Sequence, residues 1–392
     1  EGEANALDAT IRQYTAQVDY TRPLGANWKL ETGYKGNWRT QDRDFQVLKD
    51  VLGTGDWAVS DLSNSMSLDE GVNAVYGVVS GSRGPLQLQA GLRAEHATRE
   101  FALGDGEEFP YDYTSLFPSG ALSYTIGEGT QARLSYSRRV RRPGTQELNP
   151  FPSFFDAQNV FFGNPELGPE YTNSIEVGLQ RSWRMGSVQV TPFYRHTTDV
   201  IRVDINAADT VAGREVTSIT FRNLDTSRSW GADMNGQLRA GRLNGMASLN
   251  VFKIVTDGGS ESSLSSDAVT WMGRLNGTYA ATPGTTVQGT FFYRAPMNFE
   301  NGKFSATSAV GLSVRQKLPA DNAFLTLRVS DVFNANRFRA EVGDDRIIQL
   351  TDRRFSSRAL HINLQYSIGQ APRVRQQRQD QEPPSQTGFP PM

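Results

Sequence analysis

Apolar and polar residues alternate along most of this chain with a period of two, the spacing of strands with unlike faces. Leu360, Ile362, Leu364, Tyr366 and Ile368 alternate with His361, Asn363, Gln365 and Ser367. Trp230, Ala232, Met234, Gly236, Leu238 and Ala240 alternate with Gly231, Asp233, Asn235, Gln237 and Arg239. Leu86, Leu88, Ala90, Leu92 and Ala94 do the same against Gln87, Gln89, Gly91, Arg93 and Glu95. Residues 246–255 do not alternate cleanly and receive no face assignment. Helical patterning is nearly absent.

The pattern predicts about fifteen strands: 8–20, 26–40, 67–81, 85–101, 113–126, 130–140, 170–183, 187–205, 216–240, 245–257, 268–281, 285–297, 303–317, 322–339 and 350–368. Many exceed ten residues, whereas strands of soluble proteins centre near five or six. Short turn-like connections (22–26, 81–85, 127–130, 184–187, 240–245, 282–285, 318–322) take turns with mostly long polar ones (41–66, 102–112, 141–169, 206–215, 258–267, 298–302, 340–349). Short turns on one rim and long loops on the other are the layout of a transmembrane antiparallel β-barrel. Tyr20, Trp28, Tyr124, Trp183, Tyr279 and Tyr366 lie near the short turns or the last strand's end, as one interfacial aromatic girdle requires. A soluble sandwich would also alternate, but it explains neither the strand lengths nor the one-rim aromatics. Asn244-Gly245 sits where a hairpin turn is wanted, whereas Asn276-Gly277 falls inside an alternating strand.

Composition narrows the classes further. The 392 residues include 40 Lys+Arg, 42 Asp+Glu and no Cys. Near-neutral charge argues against a nucleic-acid partner that needs a strong positive field. The lack of cysteine removes disulfides, thiolate nucleophiles and cysteine-based metal sites. No apolar run approaches the ~18–20 residues of a membrane helix, and mean hydropathy is −0.48, as alternating strands allow. Three histidines, His96, His196 and His361, are too scattered to argue a metal site. Neither G-x-S-x-G nor H-E-x-x-H occurs, so the reading is of a non-enzyme with no cofactor.

Several stretches carry a family resemblance. Ala74–Tyr76 with Leu86–Glu95 (A-V-Y…L-Q-L-Q-A-G-L-R-A-E), Ser135–Pro143 (S-Y-S-R-R-V-R-R-P), Leu148–Phe151 (L-N-P-F), Gly163–Gly178 (G-N-P-E-L-G-P-E-Y-T-N-S-I-E-V-G) and Asp331–Asn334 (D-V-F-N) resemble TonB-dependent outer-membrane receptors. The likeness is to the barrel group common in Bacteroidetes-like bacteria, and the 135–178 stretch is its most specific part. It implies a 22-strand barrel behind an N-terminal plug in a Gram-negative outer membrane, importing a nutrient with energy passed on by TonB. The implied partners are the TonB complex, the plug and upstream strands, membrane lipid and lipopolysaccharide, and an unidentified nutrient. Two departures stand out: no plug and no TonB-box segment is recognisable, and the chain ends in a tail instead of an aromatic.

Strand parity bears on the first departure. With short turns in the periplasm, the first strand descends from outside, whereas complete barrels begin and end in the periplasm with an even count. About fifteen strands is what remains of 22 after removing seven and a plug. Residues 1–369 are therefore expected to be the C-terminal portion of a barrel, and 370–392, rich in Gln, Arg and Pro, a disordered periplasmic tail. The rival is a miscounted, self-closing sixteen-strand porin.

Candidate chemistry concentrates at 138–171. Arg138, Arg139, Arg141 and Arg142 precede a proline-stiffened loop holding Phe151, Phe154, Phe155, Phe161 and Phe162. One reading makes these a ligand platform folded over the barrel mouth. The other has the loop packing on itself, with the arginines binding lipopolysaccharide phosphate or lumen carboxylates. Two acidic groups, Asp105/Glu107/Glu108/Asp112 and Asp42/Asp44/Asp50/Asp56/Asp61, lack calcium-loop spacing and read as solvated faces. Lys29, Glu31, Lys35, Arg93, Glu95, Arg133, Glu176, Asp233, Arg239, Arg274, Arg294, Arg315 and Arg328 are assigned to the lumen, where mixed signs suit either a plug or a hydrated wall. A passive porin and a surface-binding barrel remain as alternative functions.

Overall fold

In the computed structural model fifteen wall strands follow one another among the described residues as an antiparallel meander. They are β1 Gly2–Pro23, β2 Trp28–Asp50, β3 Asn64–Arg83, β4 Leu86–Leu103 and β5 Glu108–Gly127, then β6 Thr130–Arg141, β7 Glu170–Trp183, β8 Gly186–Val211, β9 Arg214–Ala240 and β10 Leu243–Asp257. The last five are β11 Ser266–Thr282, β12 Thr285–Arg294, β13 Thr307–Lys317, β14 Ala323–Ser330 and β15 Ala359–Tyr366. The structure describes residues 2–368 except 51–52, 61, 155–158, 212–213, 260–264, 300–301, 320–321, 344–347 and 355–357, and leaves undescribed the side chains of 154, 207–208, 211, 214 and 342–343. The expected tail at 370–392 lies outside the described residues.

Each ladder hands the apolar face on in register. Leu30 pairs with Val79, Val79 with Ala90, Leu88 with Leu122, Leu122 with Leu134 and Leu134 with Val177. Val190 pairs with Met234, Met234 with Leu249, Leu275 with Phe291, Val287 with Val314 and Leu325 with Leu364. This face is an exposed apolar band across the whole sheet, which only lipid satisfies. The same registers settle the unassigned stretch 246–255: Leu249 and Val251 join the band.

Trp28, Tyr124, Trp183, Tyr279 and Tyr366 stand exposed on the band's lower border, beside the short turns. A second border that the pattern did not announce carries Trp38, Tyr136, Tyr194, Trp230 and Trp271. Trp28 and Trp38 sit ten positions apart on β2. At about 3.3 Å per residue and roughly 40° tilt, that places the borders about 25 Å apart, the height of a bilayer core. Gly81, paired with Trp28, makes room for the indole: a Cβ there would lie 2.2 Å from the ring.

Four expectations change. The ladders continue far above the bilayer, with β8 and β9 reaching 26 and 27 residues, so most of 41–66, 102–112 and 206–215 is strand. The outer face there meets water instead of lipid, so the sequence lost its strict alternation and read as loop. Asn244-Gly245 is inside β10; the turn is Gly241-Arg242, with Gly241 at φ +56°. The span 322–339 is broken at Asp331 and Asn334, both at positive φ, where the Asp331 carboxylate accepts from the Ala335 and Asn336 amides. Residues 337–343 and 348–354 then form a rim hairpin that joins Met297–Phe299 and Gly302–Phe304 in a separate four-stranded sheet.

Among the described residues, β1 pairs only with β2 and β15 only with β14. Both edge strands descend toward the short-turn rim, so a direct β1–β15 contact would be parallel in an otherwise antiparallel wall.

Candidate functional site: the inward loop and its wall

The longest connection, 142–169, is anchored against the wall by its own sequence. Pro143 ends β6, and α1 (Thr145–Leu148) makes a single helical turn. The Glu147 carboxylate accepts from the Gly144 amide at 2.7 Å. The returning arm lies on that turn: Gly163 N donates to Asn149 O and Asn164 N to Glu147 O, both at 2.6 Å. Farther along, Asn159–Phe161 pairs in parallel with residues 217–219 of β9. Leu148, Val160 and Leu167 are fully buried.

Wall residues read the G-N-P-E-L-G-P run through its backbone. Arg99 on β4 donates to the carbonyls of Leu167 (2.9 Å) and Pro165 (3.1 Å). Asn223 on β9 accepts from the Gly168 amide at 2.9 Å and donates to the Gly168 carbonyl at 3.2 Å. Between these ties a core gathers Met66, Leu68, Phe101, Leu103, Leu148, Leu167 and Ile201, with Phe109, Phe151 and Phe221 against it. The loop thus spans the lumen side from β3 and β4 to β8 and β9.

Charge closes the near side. Arg142 donates to Glu95 and to the Tyr113 hydroxyl (2.7 Å), and Glu95 also accepts from Arg93 at 2.6 Å. Burial opposes the Arg142 charge, but Glu95 and Tyr113 more than offset this and raise its pKa above the usual guanidinium value. Arg39 faces Glu70 at 3.6 Å, while Thr145 donates to Gln41 at 3.0 Å. The β5–β6 ladder stops at Ser119 and Ser137, although β6 stays paired with β7 up to Arg141. Tyr171 spans that parting: its ring stacks on Phe117 and its hydroxyl meets Ser115 Oγ at 2.8 Å.

The nine residues singled out from sequence divide accordingly. Arg142 pairs with Glu95, and Arg141 with Glu147 and Glu170. Arg138 stacks over the Tyr171 ring at 4.9 Å, and Arg139 is exposed. Phe151 packs on the core, Phe161 meets Phe221 edge-on at 5.5 Å, and Phe162 is half-buried. Phe154 pairs through its backbone with Val160; its side chain and all of Phe155 lie outside the described residues. Arg99, Tyr113 and Asn223 complete the arrangement and were missed; for Arg99 the signal was its place in the lumen row of Arg93 and Glu95. In the acidic stretch 42–61, Asp42 and Asp44 are strand residues and Asp50 accepts from the Thr54 and Gly55 amides, while Asp61 lies outside the described residues. No cluster of metal-ligating side chains occurs among the described residues.

Gly163 tests the anchoring. A Cβ there would lie 2.5 Å from the Glu147 carbonyl oxygen. Gly163→Ala should cost about 1–3 kcal/mol of loop stability, seen as faster amide exchange at Asn164 and Leu167. Unchanged exchange would refute the tight closure.

A lipid-facing apolar band, two aromatic borders and a polar, loop-filled inner face define a transmembrane β-barrel wall. Residues 2–366 match the model of the outer membrane protein beta-barrel family. The chain belongs to that family, and its place is the outer membrane of a Gram-negative bacterium. Among solved structures it is similar to the copper transporter OprC, with TM-score 0.68 and 14% identity over 93% of this chain and 58% of that one. It is also similar to the siderophore receptor PiuA from Acinetobacter baumannii (0.66, 12%, 92% and 56%) and to the ferric yersiniabactin uptake receptor FyuA from Yersinia pestis (0.61, 12%, 92% and 55%). The chain therefore spans little more than half the length of these neighbours. No curated protein sequence matches it.

Proposed function

We propose that the chain is the barrel wall of a TonB-dependent receptor that takes up a scarce nutrient from outside the cell. The observation that carries this reading is a fold shared over more than nine-tenths of this chain with a copper transporter and a siderophore receptor, of each of which it covers little more than half. Mixed charges on the inner wall suit hydrogen bonding to a domain seated in the lumen better than a one-sign ion filter. The outer edges of β1 and β15, open among the described residues, suit closure by further strands, whichever polypeptide carries them, because an open edge is intolerable in hydrocarbon.

The test is energy coupling. In cells carrying the full-length protein, uptake should stop when TonB is removed or the proton gradient collapsed, while surface binding persists. Uptake that continues unchanged would favour a passive porin.

A further inference from the structure

The strands of the last sector are only as long as a bilayer is thick. β12, β13, β14 and β15 have 10, 11, 8 and 8 residues, against the ~9–11 that a tilted crossing needs. Whatever stands immediately beyond their outer ends is therefore at the level of the outer-leaflet headgroups.

A cleft of about 340 Å³ opens there, lined by Tyr293, Ser308, Phe333, Arg337 and Arg339 among others. It opens on the lipid side. Tyr293 pairs with Ser308 in the row above Phe291 and Val310, on the face of the apolar band, and its ring meets Trp271 at 4.6 Å. The rim hairpin turns its two faces in opposite directions. Phe338 meets Phe304, which stacks on Phe299, while Arg337 and Arg339 line the cleft.

That outer face is amphipathic, and among the described residues its three arginines meet two carboxylates, Asp352 and Glu341. Arg354 stands directly opposite Arg337 in the ladder, a like-charge pair that costs stability unless an anion sits beside it. Asp352 is 3.0 Å from Arg339 but 4.0 Å from Arg337, and the buried Nε of Arg337 has no hydrogen-bond partner among the described residues. Glu341 follows on the same face, nearer the hairpin's tip, and Asp331 is occupied with backbone amides. Beside the arginines, Phe333 is 70% and Leu350 76% exposed.

We propose that this cleft binds the phosphorylated sugar headgroup of an outer-leaflet lipopolysaccharide. Arg337, Arg339 and Arg354 take the phosphate, Tyr293 and Phe333 flank the sugar, and the acyl chains run down the band below. Arginine suits this task because its planar fork meets phosphate oxygens in pairs. The proposal stands on the barrel's place in the outer membrane and not on the transported nutrient, so the energy-coupling test can fail without affecting it.

The test is native mass spectrometry of the full-length protein exchanged into mixed micelles with diphosphorylated lipid A, with enzymatically dephosphorylated lipid A, or with inorganic phosphate alone. Diphosphorylated lipid A should be retained at least about tenfold better than the dephosphorylated form, as loss of several Arg–phosphate contacts implies. The triple variant Arg337→Gln/Arg339→Gln/Arg354→Gln should lose that preference while keeping its β-sheet circular dichroism. Equal retention of both lipids by the unaltered protein would overturn the proposal whatever the variant does. Saturation by millimolar inorganic phosphate that displaces lipid A would overturn it too, by marking a free-anion site.

Discussion

An arginine in place of Leu134 should destabilise the inserted wall by about 2–4 kcal/mol. Leu134 is half-exposed, sits midway up β6, and is flanked by Leu122 on β5 and Val177 on β7. A charge there meets hydrocarbon on every outward side, with no partner in reach. Ser135→Arg, one position on, projects into the lumen beside Ala121 and Glu176 and should change stability by no more than about 0.5 kcal/mol. Reversible refolding of both variants into vesicles, followed by tryptophan fluorescence, measures the difference. Equal costs would mean that the faces are assigned in the wrong register.

That register was legible because lipid imposes its demand locally. Every second residue of Leu86–Ala94 or Leu360–Ile368 must be apolar whatever its neighbours are, so alternation survives in a single sequence. Above the bilayer the demand ends. Residues 41–50 and 206–211 lie in strands that extend beyond the lipid band, and their ladders left no trace in the pattern. The break at Asp331 was hidden for another reason. Apolar Val332 and Phe333 continue a strand-like string, while the positive φ of Asp331 and Asn334 has no signature in hydropathy.

The inward loop was legible in its composition but not in its attachments. Five phenylalanines and four arginines marked the segment as unusual, and the open choice was between a ligand platform and self-packing. The described geometry shows Phe151 on the core and Arg141 and Arg142 in ion pairs, leaving Arg139 exposed and without an ion pair among the described residues. The anchors were invisible. Arg99 reaches carbonyls 68 and 66 residues away, and Asn223 reaches Gly168 across 55. A carbonyl is common to all residues, so a side chain that recognises one leaves no pattern at the other end. The most recognisable stretch, G-N-P-E-L-G-P, thereby gains a physical reason: its backbone, more than its side chains, is what the wall holds.

Removing the Arg142 guanidinium should loosen this attachment more than any other single charge change in the loop. Glu95 is 8% exposed at its side chain and accepts from both Arg142 and Arg93. Arg142→Met leaves the carboxylate half-served and the Tyr113 hydroxyl without its donor, a loss of about 1.5–3 kcal/mol for hydrogen bonds to a charged group. Arg93 remains, so the carboxylate is not stranded and the wall should still fold. Arg141→Met should cost less, because its partnership with Glu147 is closer to water and solvent screens it. Arg139→Met, with no ion pair among the described residues, serves as the neutral control. Amide exchange along 145–167 in the full-length protein reads the opening directly, and the double variant with Glu95→Gln isolates the pair from the packing of the arginine stem. Exchange in Arg142→Met no faster than in Arg139→Met would show that the apolar core and the Arg99 and Asn223 ties hold the loop by themselves, with the Glu95 pair serving only to neutralise a buried charge.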